Sequence, residues 1–157
     1  MQNSQNSGNR GILEGMELHR ADYTDRDSAQ KSDRLIRSRL SEGIDALMGS
    51  VEWLKTDLLR KGNQKHLEEL EDLSEALEAV SRRMEGDRDL PPPSGQEGEN
   101  ERSYGELFEA HKELVSQFGK IQKEVNKITA EGVVPGTEDI ERIRRLVRHM
   151  GETAKNY

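Results

Sequence analysis

Apolar residues recur at alternating intervals of three and four along much of the chain, which is the spacing of one buried face of an α-helix. Four segments carry this pattern. They predict helix A over residues 31–61, helix B over 64–85, helix C over 103–130 and helix D over 137–151. Helix C has the most regular pattern, with four heptads and no slip. Because no segment alternates with the period of two that is typical of a strand, the pattern predicts an all-α protein.

The segments between and before these helices lack apolar periodicity. Gly62 and Asn63 interrupt the pattern between helices A and B, as either a turn that forms an antiparallel hairpin or a stutter in one helix, and we favour the turn. Residues 1–10 predict a disordered tail, and the Pro-rich, acidic residues 87–102 predict a disordered linker. The helical segments are then 11–86, which opens with a weak helix, and 103–157.

The composition narrows the class of bundle. Only 31% of the 157 residues are hydrophobic and 35% are charged, whereas average domains have about 45–50% apolar residues. Such a chain can bury narrow seams between long helices more readily than a wide core. We therefore expect an elongated helical bundle or coiled-coil hairpins.

The charge distribution argues against some partners. The net charge is −7, and residues 64–101 contain 12 acidic and 4 basic residues, which is −8. A protein that neutralises phosphates is normally basic, so we expect no nucleic-acid partner. No stretch approaches the roughly 18 apolar residues of a membrane span, and the chain contains no cysteine. We expect no direct membrane insertion and an intracellular location, cytoplasmic or nuclear.

Candidate chemistry is sparse. His111 occupies a heptad position in helix C, where a histidine could set the register of the seam or accept a phosphoryl group, as in a regulatory phosphotransfer domain. Glu69 and Asp72 lie three apart on helix B, a spacing that could hold Mg²⁺ in a small helical hydrolase. Neither pattern is specific, so we expect no catalytic residues, no metal site and no cofactor.

Two helix faces could bind partners. Trp53 falls outside the seam of helix A, so it either forms a second interface or is buried by a wider apolar stripe inside a bundle. Helix D carries a basic face with four arginines, which is either solvated or a docking site for an acidic helix, and helix B is one candidate for that helix.

Together these features predict a non-enzymatic interaction subunit, a scaffold or adaptor that assembles with partner helices in a multisubunit complex. A hetero-oligomer is favoured over a homodimer because the four seams differ in length and regularity. The residues predicted to contact partner helices are Leu40, Ile44, Leu47, Val51, Trp53, Leu54, Leu58, Leu107, His111, Leu114, Phe118, Ile121, Val125 and Ile128.

Overall fold

The computed structural model describes residues 18–86, 88, 90, 97–130 and 132–156. Within these residues the protein is all-helical, with no strand. A 3₁₀ turn, Arg20–Tyr23, precedes four helices: α1 (Arg26–Arg60), α2 (Leu67–Met84), α3 (Glu97–Ile128) and α4 (Thr137–Asn156). The predicted tail and half of the predicted linker, at positions 87, 89 and 91–96, lie outside the described residues.

The helices differ from the predicted ones mainly at their ends. α1 begins at Arg26 instead of residue 31, because Asp25 caps it by accepting a hydrogen bond from the Ser28 backbone N–H at 2.9 Å. α3 begins at Glu97, inside the segment predicted as linker, and α4 extends to Asn156. These extensions carry few apolar residues, so the seam pattern did not predict them.

A tight turn separates α1 from α2, as favoured for Gly62 and Asn63. Gly62 has a φ of 75°, the left-handed conformation that glycine adopts readily. Its N–H donates to the Leu59 carbonyl at 3.0 Å, and the Asn63 N–H donates to the Leu58 carbonyl at 2.8 Å. This pair of bonds is the Schellman motif, which satisfies the last carbonyls of α1 and ends the helix.

α1 and α2 run antiparallel, and α1 and α3 run parallel. Asp45 of α1 accepts from Ser81 of α2 at 2.8 Å, while Lys55, further along α1, donates to Glu71, earlier in α2, at 2.7 Å. Contacts between α1 and α3 advance in the same direction along both helices. α4 packs parallel to α2 and antiparallel to α3. The order around the bundle is therefore α1, α2, α4, α3, with α1 diagonally opposite α4.

All four helices contribute to one hydrophobic core. It includes Leu40 of α1, Leu77 of α2, Phe118 of α3 and Ile143 of α4, each at most 1% exposed. The two helical pairs therefore pack against each other. A smaller cluster covers the end of the bundle where α1 and α3 begin; it consists of Tyr23, Ala29, Leu90, Tyr104, Leu107 and Phe108.

Candidate functional site

The residues predicted to contact partner helices lie mostly inside the chain's own bundle. Thirteen of the fourteen are at most 8% exposed, because the seams of α1 and α3 meet other helices of the same chain. Of these fourteen residues, only Trp53 is exposed in the folded chain. The buried thirteen are Leu40, Ile44, Leu47, Val51, Leu54, Leu58, Leu107, His111, Leu114, Phe118, Ile121, Val125 and Ile128.

Trp53 is 55% exposed on the side of α1 that faces away from the core. The interpretation in which a wider apolar stripe buries it is therefore wrong. Ala46, Gly49 and Thr56 lie on the same face at intervals of three and four, and all are exposed. A Cβ atom added at Gly49 would meet no atom within 4 Å. We call these four residues the Trp53 surface.

His111 and Asp33 form the centre of a buried polar network between α3 and α1. The Nε2 atom of His111 lies 3.1 Å from Oδ1 of Asp33, and both residues are 0% exposed. The hydroxyl of Tyr23, in the 3₁₀ turn, lies 2.6 Å from Nδ1 of His111. Arg88 donates to both carboxylate oxygens of Asp33, at 2.9 and 3.1 Å. The network thereby connects α1 with α3, with the 3₁₀ turn and with the residue at position 88.

The charge states in this network follow from its surroundings. Burial lowers the pKa of His111 below its ordinary value of 6.5 and outweighs the opposing hydrogen bond to Asp33. Burial alone would raise the pKa of Asp33, but hydrogen bonds from His111 and Arg88 reverse this effect and lower it to about 2. At neutral pH a neutral imidazole therefore donates from Nε2 to an ionised carboxylate, and its Nδ1 accepts from Tyr23.

The backbone of the segment after α2 is also attached to α1, through hydrogen bonds with side chains of that helix. The side-chain amide of Gln30 accepts from the Leu90 N–H at 2.8 Å and donates to the Arg88 carbonyl. Arg26 also donates to the Leu90 carbonyl at 3.2 Å. The first turns of α1 thus hold residues 88 and 90 against the end of the bundle.

Sequence reasoning found His111 but missed its partners. Asp33 lies seven residues before Leu40, so it continues the buried seam of α1. A charged residue in a seam is the signal that could have identified Asp33, because a buried charge needs a partner. Arg88 lies outside any periodic pattern, and no comparable signal marks it.

The geometry of His111 bears on the phosphotransfer alternative. A phospho-acceptor histidine must present a ring nitrogen to a donor protein. Both ring nitrogens of His111 lie within hydrogen-bonding distance of buried partners. A phosphoryl donor could reach the ring only after the bundle opens.

The paired acids on α2 are engaged by basic side chains. Glu69 Oε2 lies 3.0 Å from His66 Nδ1, and Asp72 Oδ2 lies 4.0 Å from a guanidinium nitrogen of Arg144. Among the residues that the structure describes, no group of three or more His, Asp or Glu side chains is placed to hold a metal ion. Glu69 and Asp72 therefore belong to no such group within the described part of the chain.

Comparison with known proteins gives no match: the chain matches no protein-family model, no curated protein and no solved structure. Over the described ranges, no helix is both long enough and apolar enough to cross a membrane.

Proposed function

We propose that the protein is a non-enzymatic helical interaction module that binds a partner helix through the Trp53 surface. The exposure of Trp53 is the observation that carries the proposal. Tryptophan is enriched among the few interface residues that supply most of the binding energy, and an indole exposed to water gains from burial by a partner.

The shape of the Trp53 surface supports a helix as the occupant. Its residues follow each other at intervals of three and four, the same spacing that lets one helix pack along another. Gly49 and Ala46 lie one and two turns before the indole and are small, so a partner backbone can approach α1 closely there. The exposed indole lies between these two residues and Thr56, which is one turn further along α1.

The partner in this proposal is a different protein, in an assembly where the bundle acts as a scaffold or adaptor. The seams that could have driven self-assembly are occupied inside the chain. The heptad spacing of these seams also favours coiled-coil packing within the α1–α2 and α3–α4 pairs.

Site-specific photo-crosslinking tests the proposal. A photoreactive amino acid replaces Trp53 in the full-length chain, in the cells from which the chain derives, and crosslinked proteins are identified by mass spectrometry. The same amino acid at the exposed Lys120 of α3 is the matched control. We expect one protein to be crosslinked from position 53 and not from position 120.

The purified candidate partner is then titrated against the wild-type chain and Trp53→Ala by calorimetry. Loss of a central tryptophan typically costs about 2 kcal/mol or more, so the affinity should fall about 30-fold or more. The Tm should stay unchanged, since the ring is exposed. Equal affinity for both chains would refute the proposal. A dimeric mass by light scattering that Trp53→Ala converts to a monomer would show that the partner is a second copy.

A further inference from the structure

A groove with a basic rim runs between α2 and α4, on a different part of the bundle from Trp53. Its floor consists of small or aliphatic residues, namely Ala76, Ala79 and Val80 of α2 and Val147 and Gly151 of α4. The groove encloses about 270 Å³. Small-molecule pockets usually enclose about 300–1,000 Å³, so the space suits one or two side chains of a partner better than a cofactor.

Cations outnumber acids on the rim of this groove. The rim carries Arg83, Arg144, Arg148 and Lys155, against two acids, Asp72 and Glu152. This excess of two positive charges stands on a chain whose net charge is −7. The groove is therefore a local positive region on an acidic protein.

Three of the four rim cations have no acidic partner among the residues that the structure describes. Arg83, Arg148 and Lys155 are exposed and form no ion pair with any described residue. Arg144 alone is engaged, with Glu141 at 2.7 Å and more distantly with Asp72 at 4.0 Å. Over the described ranges, Arg144 and Asp72 form the one ion pair between the basic face of α4 and the acidic face of α2. No described acid neutralises the other three rim cations.

From this combination we propose that the α2–α4 groove binds an acidic amphipathic peptide segment of another protein. An aliphatic side chain of the peptide lies on the floor between Val80 and Gly151, and its carboxylates pair with Arg83, Arg148 and Lys155. The apolar floor favours a peptide over a nucleic acid, which would present phosphates and ribose there. A peptide can also place its carboxylates away from Asp72 and Glu152, whereas a continuous phosphate backbone would pass close to them. The proposal is independent of the Trp53 surface.

Fluorescence anisotropy with the full-length chain tests this proposal. The probe is a labelled synthetic peptide with leucines on one helical face and glutamates on the other. We expect saturable binding that weakens as salt is added, because exposed charge pairs are screened. The same peptide with glutamine in place of glutamate should bind about tenfold more weakly or worse.

Two charge reversals on α4 locate the binding site. Arg148 lines the groove, whereas Arg145 lies on the same helix outside it, and each is exposed without an ion pair to a described residue. Arg148→Glu should weaken binding of the acidic peptide about tenfold, and Arg145→Glu, with the same change in net charge, should have little effect.

A third variant tests the floor without changing charge. A Cβ atom added at Gly151 would lie 3.5 Å from Cγ2 of Val80, an ordinary contact, so Gly151→Ala should fold and its Tm should not fall. The added methyl occupies part of the floor, and peptide affinity should fall.

Several outcomes would overturn the proposal. These are the absence of saturable peptide binding, equal losses from Arg148→Glu and Arg145→Glu, or unchanged affinity in Gly151→Ala. Tighter binding of a single-stranded oligonucleotide or of anionic phosphatidylserine vesicles than of the peptide, with the same dependence on Arg148, would assign the groove to phosphates instead.

Discussion

The imidazole Nε2 of His111 and the carboxylate Oδ1 of Asp33 lie 3.1 Å apart, and neither side chain is exposed to solvent. This pair joins the parallel helices α1 and α3 at the level where Tyr23 and Arg88 also converge on them. A buried carboxylate is costly unless it is paired and hydrogen-bonded. Asp33 is paired by His111 of α3 and by Arg88, and Tyr23 of the 3₁₀ turn bonds the other ring nitrogen of His111. The network therefore couples these parts of the fold.

We predict that acid destabilises the protein in two stages. The folded-state pKa of His111 lies below 6.5, so the unfolded chain takes up the proton first, and stability falls as the pH drops below about 6.5. The folded-state pKa of Asp33 is about 2 against an ordinary 3.8. The contribution of Asp33 to the free energy of unfolding is present above pH 3.8 and is lost towards pH 2. A pKa shift of this size corresponds to about 2 kcal/mol.

Urea unfolding followed by circular dichroism across this pH range measures both stages. Arg37 and Arg88, which also act on His111, stay charged throughout, so they add no stage of their own. Asp33→Asn should remove the contribution of Asp33 and make the decline below pH 3.8 shallower. Hydrogen bonds from Lys55 to Glu52 and from Lys127 to Glu124 also lower the pKa values of those carboxyls, so their contributions should remain. An NMR titration of the His111 ring gives an independent check, with the urea-unfolded chain as its reference. A folded-state His111 pKa at or above 6.5 would contradict this account.

Removing the Tyr23 hydroxyl should destabilise the fold. Tyr23→Phe leaves the buried Nδ1 of His111 without its donor at 2.6 Å, which should cost about 1–3 kcal/mol. Tyr104 provides the control, because its hydroxyl is also buried but has no hydrogen-bond partner among the described residues. Tyr104→Phe should therefore be neutral or slightly stabilising. The two variants are compared by their free energies of unfolding in urea, and equal losses would argue against the network.

Much of the fold could be predicted from the sequence because its signals are local. The heptads of α3 and the glycine that ends α1 depend only on neighbouring residues, and both are found in the structure. The start of α1 is also set by a local signal, the Asp25 cap. The pattern of apolar residues does not report caps, so the predicted helix began too late. The local patterns could not predict which helices pack together, because seams of this kind can pair within one chain or between chains.

The candidate sites were harder to predict for the same reason. Asp33 and His111 are 78 residues apart, and their contact depends on α1 and α3 being parallel neighbours. The exposure of Trp53 likewise depends on where the other three helices pack around α1. Arg88 reaches Asp33 from a segment without periodicity. In each case the chemistry is visible in the sequence, but the partner is set by tertiary packing.

Gln30 should stabilise the segment after α2 against local opening from α1. Gln30→Ala removes the acceptor of the buried Leu90 N–H, which lies 2.8 Å from the amide oxygen. We expect faster hydrogen exchange of the Leu90 amide, measured by NMR, because local opening then breaks fewer hydrogen bonds. The Ile140 amide, bonded to the Gly136 carbonyl at the other end of the bundle, should exchange at its original rate. Unchanged exchange at Leu90 would mean that other contacts hold the segment.

Two glycines of α1 should respond to alanine in opposite directions. A Cβ atom at Gly43 would lie 2.6 Å from Cζ of Phe118, whose buried ring has little room to move, so Gly43→Ala should destabilise by about 1–3 kcal/mol. At Gly49 a Cβ meets nothing within 4 Å, and Gly49→Ala should stabilise by up to about 1 kcal/mol through helix propensity. Urea unfolding measures both. Phe118→Leu removes the clashing ring atoms, so it should lower the free energy of unfolding less in the Gly43→Ala background than in the wild type. Additive losses of stability would show that the two positions do not touch.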